Sequence, residues 1–389
     1  MRLGIRLARK IHLLIALAIG LHFVLIASTG GLYIFADELT AFALQLRGWK
    51  ATPGDVGPDR CADAIAAACP EWDRKHLQFP SKKRPFYSGY VPLGSDYFWT
   101  DHLVDPGTGR LVGSISNRST SIEGLLQIAI QLHIHLCAGE IGRRCVDISV
   151  TVFLVEILTG LWLWWPGWLR LKRGVIIRRS SKPFLWLYDW HRASGALAAP
   201  FLLVMTVTGL LWGFPEVVVP LVYWCCGETA PANVSRDDAQ EPSSNAMTST
   251  ADISLCSLNE VAEIARLHRN DVVVEGVTLE QDPPRIAKIH WHGANADSIQ
   301  LLHIDRVTRT ILLPEKPQRS SSLADRITKD WAHPLHYGSI GGLSTKLLYL
   351  LACAAVDALF VTGLLMWWHK RQKIQRARVH LISEGSLST

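Results

Sequence analysis

Four histidines stand at repeated distances from four Thr-Gly pairs. His12 and His191 each precede such a pair by 17 residues, and His133 and His336 each precede one by 26 residues. The four pairs are Thr29-Gly30, Thr208-Gly209, Thr159-Gly160 and Thr362-Gly363. A b-type haem has no covalent tether and is held by imidazole nitrogens, so histidines at matched depths on neighbouring helices suit it. The spacing predicts a duplicated membrane unit whose histidines hold haem iron.

Long apolar segments carry these residues. Four segments approach or exceed the roughly 20 residues that cross a bilayer: 11–35, 146–165, 193–214 and 347–368. The chain is 49% hydrophobic and contains 15 tryptophans, which argues against an ordinary soluble protein. The third segment copies the first, which favours a retained span over a cleavable signal peptide. The Thr-Gly pairs would permit close packing of these helices.

The basic residues behind the net charge of +6 cluster beside the spans, so they indicate a membrane protein rather than one that binds nucleic acid. They precede the first span, fill the connection between the second and third, and follow the fourth. By the positive-inside rule these three regions, with both termini, are cytoplasmic. The loops 36–145 and 215–346 then lie outside, and membrane lipid surrounds the spans.

Each outer loop is predicted to form a folded lobe, in which a short helix is followed by an antiparallel meander. The helices are predicted at 60–68 and 257–267, and the strands at 86–91, 97–104, 110–115, 272–278, 286–291, 300–304 and 310–313. The turn Asp105-Pro106-Gly107-Thr108-Gly109 has a second copy, 305–308, that has lost its proline and glycine. Residues 229–250 are predicted to form a flexible linker, and the tail after Arg378 is expected to be poorly ordered.

The predicted fold class is an α-helical integral membrane protein with four transmembrane helices from a duplicated two-helix unit and two α+β lobes. The predicted regions are 1–36 (first span), 37–120 (first lobe), 121–167 (histidine-containing interfacial helix and second span), 168–190 (basic loop), 191–214 (third span), 215–330 (linker and second lobe), 331–369 (histidine-containing segment and fourth span) and 370–389 (tail).

Matched repeats should bring His12 to His191 near the cytoplasmic interface and His133 to His336 near the external one. His135 points away from His133 on a helix, whereas His333 could share a face with His336. His22 has no counterpart in the third span and could hold a haem at middle depth. A lone interfacial histidine is more often a packing residue or headgroup anchor, but two repeated pairs favour one or two haem b groups.

Other residues leave alternatives open. Glu156 and Asp357 lie within predicted spans and would serve a proton path or a structural hydrogen bond. The tryptophans at the span ends are typical of an aromatic belt. None of the eight cysteines forms C-x-x-C-H, which excludes a c-type haem, although Cys137 and Cys145 could close a short loop. Zinc at His133/His135 or at His290/His292 is weakly supported, because no further ligands stand beside either pair.

The order of these motifs resembles the PepSY-associated transmembrane helix family. The resemblance covers 12–368 and includes the D-P-x-T-G turn, Leu-His-x-His-Leu, T-G-L-W-L-W-W-P and D-W-H-R. The family includes bacterial inner-membrane ferric-siderophore reductases. It therefore implies a haem b reductase that passes electrons to a periplasmic ferric siderophore, of hydroxamate type for example, and releases Fe(II) for uptake. Candidate docking aromatics in the first lobe, most of which should be core of the meander, are Phe86, Tyr87, Tyr90, Tyr97, Phe98 and Trp99.

The sequence leaves the electron donor and the catalytic residues unassigned. No nucleotide-binding motif is present, so the donor would be a cytoplasmic protein, a free reduced flavin or membrane quinol. The rival function is a non-enzymatic transporter or sensor, in which the intramembrane histidines and carboxylates conduct protons or metal and the lobes bind ligand.

Overall fold

The computed structural model describes residues 2–72, 76–82, 84–95, 98–116, 121–165, 167–178, 183–231, 255–268, 272–280, 285–293, 300–312 and 322–385. The helices are α1 (Arg2–Tyr33), α2 (Ala36–Leu46), α3 (Pro58–Ala68), α4 (Ile122–His135), α5 (Gly139–Trp164), α6 (Leu171–Val175), α7 (Pro183–Gly213), α8 (Pro215–Cys225), α9 (Leu258–His268), α10 (Leu323–Asp325), α11 (Ala332–Tyr337) and α12 (Gly342–Gly385). The strands are β1 (His76–Gln78), β2 (Tyr87–Ser95), β3 (Phe98–Val104), β4 (Leu111–Ser116), β5 (Val272–Glu280), β6 (Ile286–Gly293), β7 (Gln300–Asp305) and β8 (Thr310–Leu312).

Four helices, α1, α5, α7 and α12, are long and apolar enough to cross a membrane. They form a bundle in which α1 packs on α5, α5 on α7, α7 on α12 and α12 on α1. Helices α1 and α5 constitute the first half of the bundle, and α7 and α12 the second. Phe23 and Leu202 occupy matched positions in the two halves and meet in one buried core with Ile157 and Val356. The bundle therefore has approximate two-fold symmetry.

The two predicted lobes form a single sheet. Its strand order is β4-β3-β2-β1-β5-β6-β7-β8, and every described pairing is antiparallel. Strand β1 joins the lobes by pairing His76 with Thr278, Leu77 with Val277 and Gln78 with Gly276. The sequence analysis missed β1 because three residues are too few to show an alternating pattern.

Helices α3 and α9 cover one face of the sheet. Cys61 and Ile65 of α3 and Val261 and Ala265 of α9 are buried in one core with residues from six of the strands. Asp59 connects the two helices, because its carboxylate accepts hydrogen bonds from the backbone N–H groups of Leu258 and Asn259 at 2.8 and 2.9 Å. On the other face, Leu44 of α2 packs with Phe86, Leu103 and Ile115.

Both copies of the Asp-containing turn keep the same shape. The N–H of Gly109 donates to the Asp105 carbonyl, and the N–H of Arg309 donates to the Asp305 carbonyl, each at 2.8 Å. Arg309 has φ 59°, close to the 66° of Gly109, so it adopts the left-handed conformation without a glycine. The turn thus survives the loss of its proline and glycine and serves the fold in both lobes.

Two expectations concern segments outside the spans. The tail was expected to be poorly ordered after Arg378, but α12 continues to Gly385 because 370–384 is rich in strong helix formers. The predicted linker lies largely outside the described residues, which resume at 255.

Candidate functional site

Two pairs of imidazoles lie between the halves of the bundle. We call the end of the bundle that carries the sheet the sheet side, and the opposite end the loop side. The rings of His133 and His336 lie on the sheet side with centroids 6.3 Å apart. Those of His12 and His191 lie on the loop side, 6.4 Å apart. Each pair takes one histidine from each half, as the repeat predicts.

Each sheet-side imidazole rests against the Thr-Gly pair of the neighbouring span in its own half. His133 donates from Nδ1 to the Ile26 carbonyl of α1 at 2.8 Å, one turn before Thr29-Gly30. His336 donates from Nδ1 to the Thr208 hydroxyl of α7 at 2.8 Å. The two contacts occupy matched positions in the two halves.

The loop-side imidazoles are held in the same way. His191 donates from Nδ1 to the Thr362 hydroxyl of α12 at 2.9 Å. His12 lies with Nδ1 3.2 Å from both the Glu156 carbonyl and the Thr159 hydroxyl of α5. We call each Thr-Gly pair, with the carbonyl one turn before it, an imidazole seat.

The seats determine which ring nitrogen carries the hydrogen. The Thr362 hydroxyl donates to the Ala358 carbonyl at 2.7 Å, and the Thr208 hydroxyl donates to the Val204 carbonyl at 2.8 Å, so each accepts from the imidazole. The carbonyl contacts of His133 and His12 also require N–H at Nδ1. The neutral rings therefore present a lone pair at Nε2, the form in which histidine binds metals. Burial lowers the pKa of His133 and His336 and favours this neutral form.

The glycine of each seat makes room for a ring. A Cβ atom on Gly30 would lie 2.6 Å from Cε1 of His133, and one on Gly160 would lie 3.1 Å from Cε1 of His12. The corresponding distances at Gly363 and Gly209, to Cε1 of His191 and His336, are 3.4 and 3.7 Å. Sequence analysis had assigned these residues to helix packing, although their constant spacing from the histidines was the available signal.

A cavity of about 330 Å³ adjoins the sheet-side pair. Its lining includes both imidazoles, and most of the remainder is apolar, with Phe153, Val150 and Met205 among the side chains. Arg143 and Asp147 are among its polar residues. The ring of Trp212 lies 4.8 Å from that of His336. An apolar cavity with a few polar groups is typical of a small-molecule or cofactor site.

The ring separations suit a metal held between two imidazoles. Bonds of about 2 Å from a metal to each nitrogen, with the radius of each ring added, place the two centroids roughly 6 Å apart. Both observed separations, 6.3 and 6.4 Å, agree with this spacing. At the sheet side, the seats, the Nδ1–H tautomers and the cavity thus fit bis-imidazole haem; at the loop side, the fit rests on the seats, the tautomers and the ring separation.

The other three candidate histidines lie outside these pairs. His22 donates from Nε2 to the Ser149 hydroxyl at 2.9 Å, since that hydroxyl itself donates to a backbone carbonyl. His333 stacks on Tyr337 with centroids 4.3 Å apart. His135 ends α4 and does not line the sheet-side cavity.

The two intramembrane carboxylates have different surroundings. Glu156 places Oε1 3.1 Å from Nδ1 of His12, so it contacts the loop-side pair directly. Asp357 instead accepts a hydrogen bond from the Ser28 hydroxyl, with oxygen–oxygen distances of 3.1 and 3.2 Å. One carboxylate therefore belongs to an imidazole seat and the other to a contact between α1 and α12.

Asp189, in the D-W-H-R motif, holds the loop that follows α5. Its side chain is fully buried and accepts three hydrogen bonds from Arg178, one from the backbone and two from the guanidinium, at 2.8 to 3.1 Å. Trp164 adds a bond from its indole nitrogen to the Gly174 carbonyl at 3.0 Å. Asp189 thus fixes the loop two residues before His191, a role the sequence alone did not indicate.

The structure adds little support for three weaker hypotheses: a zinc site, a bond between Cys137 and Cys145, and a docking surface of aromatic side chains. Among the described residues, no group of three or more His, Cys, Asp or Glu side chains could hold a metal ion. Cys137 and Cys145 are both free. Phe86 and Tyr87 are buried core residues, whereas Tyr97 and the side chains of Phe98 and Trp99 lie outside the part that is described.

The chain is similar to one known family over almost its whole length. The model of the PepSY-associated TM region matches residues 9–370, which include both pairs of histidines and all four seats. No curated protein sequence matches the chain significantly.

Proposed function

Because the chain belongs to the PepSY-associated TM region family, we propose that it is a haem b protein of the bacterial inner membrane that carries electrons across the bilayer to a ferric siderophore. The observation that carries this proposal is the geometry of the two imidazole pairs, with centroids 6.3 and 6.4 Å apart and all four Nδ1 atoms hydrogen-bonded.

Haem bound at each pair would supply one-electron chemistry at iron. His133 and His336 would hold one group and His12 and His191 the other, with the seats keeping each Nε2 directed between the halves. Arg143, in the lining of the sheet-side cavity, is suited to pair with a propionate carboxylate. The apolar side chains around the sheet-side pair would exclude water.

The ferric chelate follows from the family resemblance and from the position of the sheet. Basic residues beside the spans favour a cytoplasmic loop side and a periplasmic sheet. Electrons reaching the sheet side could then pass to a periplasmic chelate. A hydroxamate chelator binds Fe(III) as a hard cation, so gain of one electron yields Fe(II), which dissociates while the freed oxygens take up protons.

The test begins with the optical spectrum and haem count of purified protein expressed with sufficient haem. We expect a Soret band and two haems per chain. Each of the single variants His336→Ala and His191→Ala should contain one haem fewer. The protein reduced by dithionite should be reoxidised by a ferric hydroxamate siderophore but not by its redox-inert gallium form. Protein without a Soret band would contradict the redox function and favour the transporter or sensor.

A further inference from the structure

Asp357 and Ser28 form a polar contact inside the membrane-crossing part of the bundle. The Ser28 hydroxyl lies 3.1 and 3.2 Å from the two carboxylate oxygens of Asp357. Ser28 is exposed and Asp357 is half-buried, and exposed leucines of α1, such as Leu25 and Leu32, flank the serine. The pair therefore lies where lipid-soluble molecules can reach it.

This contact is absent from the equivalent place in the other half. Val207 matches Ser28, and Leu154 matches Asp357, at the offsets that relate His12 to His191 and His133 to His336. Two apolar residues thus stand at the matching positions of α7 and α5. Since the repeat itself does not call for a polar pair here, and an ionisable group is costly in hydrocarbon, the pair calls for a functional explanation.

The pair lies level with the sheet-side imidazoles along α1, where Ile26 and Gly30 on either side of Ser28 both contact His133. Ser28 directly precedes Thr29 of a sheet-side seat, and Asp357 lies five residues, about 7.5 Å of helix, from Thr362 of a loop-side seat. Asp357 is also eleven residues, about 16 Å, from Trp368 of the tryptophan belt. Exposed leucines flank the pair, so a ligand that approaches it from the lipid must itself be soluble in hydrocarbon.

We propose that Ser28 and Asp357 bind a membrane quinol and accept its proton, which identifies the electron donor for the function proposed above. A quinol is soluble in lipid, and its hydroxyl can donate a hydrogen bond to a carboxylate. Oxidation converts one quinol to one quinone and releases two protons and two electrons. Asp357 receives the first proton, the second is released to water, and two ferric irons, those of the proposed haem groups, would each take one electron.

Binding is tested separately from electron transfer, with protein in lipid nanodiscs. An azido-quinone is photolysed in the presence of the protein, and the labelled peptides are identified by mass spectrometry. We expect label on peptides that contain Ser28 or Asp357, at least tenfold less of it in Asp357→Asn, and wild-type labelling in Leu154→Asn, the matched substitution in the other half. Label confined to other peptides, or unchanged labelling in Asp357→Asn, would overturn the proposal.

Electron transfer is then followed as anaerobic haem reduction by decylubiquinol. Asp357→Asn should reduce the rate at least tenfold while retaining full haem content and full reduction by dithionite. Ser28→Ala should have a smaller effect in the same direction. Wild-type haem that reduced flavin reduces but decylubiquinol does not would refute the quinol site and leave the haem function intact. A change in oligomeric state caused by Asp357→Asn would instead assign the contact to assembly and also overturn the quinol site.

Discussion

Gly30→Ala tests whether the imidazole seats hold the histidines that we propose as haem ligands. The new Cβ would lie 2.6 Å from Cε1 and 2.8 Å from Nδ1 of His133. Ordinary carbon contacts begin near 3.5 Å, so the ring would have to move by about 1 Å. It cannot do so and keep its 2.8 Å hydrogen bond to the Ile26 carbonyl.

Overpacking of this kind costs about 1–3 kcal/mol. At about 1.4 kcal/mol for each factor of ten, the sheet-side haem should bind roughly 5- to 150-fold more weakly. In the haem-free protein the ring can move into the adjoining cavity, and the roughly 1 kcal/mol by which alanine is better than glycine in a helix offsets the lost hydrogen bond, so the stability should change little. Weaker haem binding with unchanged haem-free stability separates damage to the seat from general unfolding.

The assay is a titration of haem-depleted protein with haem, with Gly209→Ala as the matched control. A Cβ at Gly209 would meet Val150 and His336 at 3.6 and 3.7 Å, which are ordinary contacts. We expect Gly30→Ala to lose about one of its two haems under conditions in which Gly209→Ala retains both. Equal haem affinity in Gly30→Ala and wild type would refute the seat as the element that positions the ligand.

Three further substitutions test neighbouring features. Glu156→Gln removes a carboxylate 3.1 Å from Nδ1 of His12. Because that carboxylate makes the His12 imidazole a more basic ligand and so favours ferric iron, its loss should raise the midpoint potential of the proposed loop-side haem alone. A redox titration in which neither haem shifts would contradict this. Asp189→Asn should destabilise the protein by about 2 kcal/mol and speed proteolysis within 167–178, whereas alanine at the exposed Lys172 should do neither. Gly276→Ala would place a Cβ 2.8 Å from the Leu77 carbonyl oxygen and should lower the melting temperature. The control is Gly113→Ala, whose Cβ would lie 3.6 Å from the Leu44 side chain and should leave the melting temperature nearly unchanged.

The sequence predicts the features that depend on repetition and local pattern. The four spans follow from apolar length, and the meeting of His12 with His191 and of His133 with His336 follows from matched spacing alone. These features were predictable because a duplication in the sequence places equivalent residues at a constant spacing, which indicates that they are related by symmetry in the fold.

Features that depend on long-range contacts were not predictable. The pairing of β1 with β5 joins residues about 200 apart through three pairs, and no local pattern encodes it. The seat of His12 likewise depends on Thr159, which lies 147 residues away. The constant spacing identified the Thr-Gly pairs in the sequence, but their contacts with the histidines became apparent only from the packing of the neighbouring helix.

The pairing of Leu77 with Val277 lies at the centre of the seam between the two lobes, with the equivalent strands of each lobe in mirrored order on either side. The halves therefore meet as the subunits of an isologous dimer do, by strand addition at identical edges and by contacts between equivalent side chains. In a homodimer, every substitution would appear twice. Fusion into one chain allows Glu156, Asp357 and His22 each to occur on one side of the axis only. A single chain can thus give the two sides of a symmetric histidine core different chemistry.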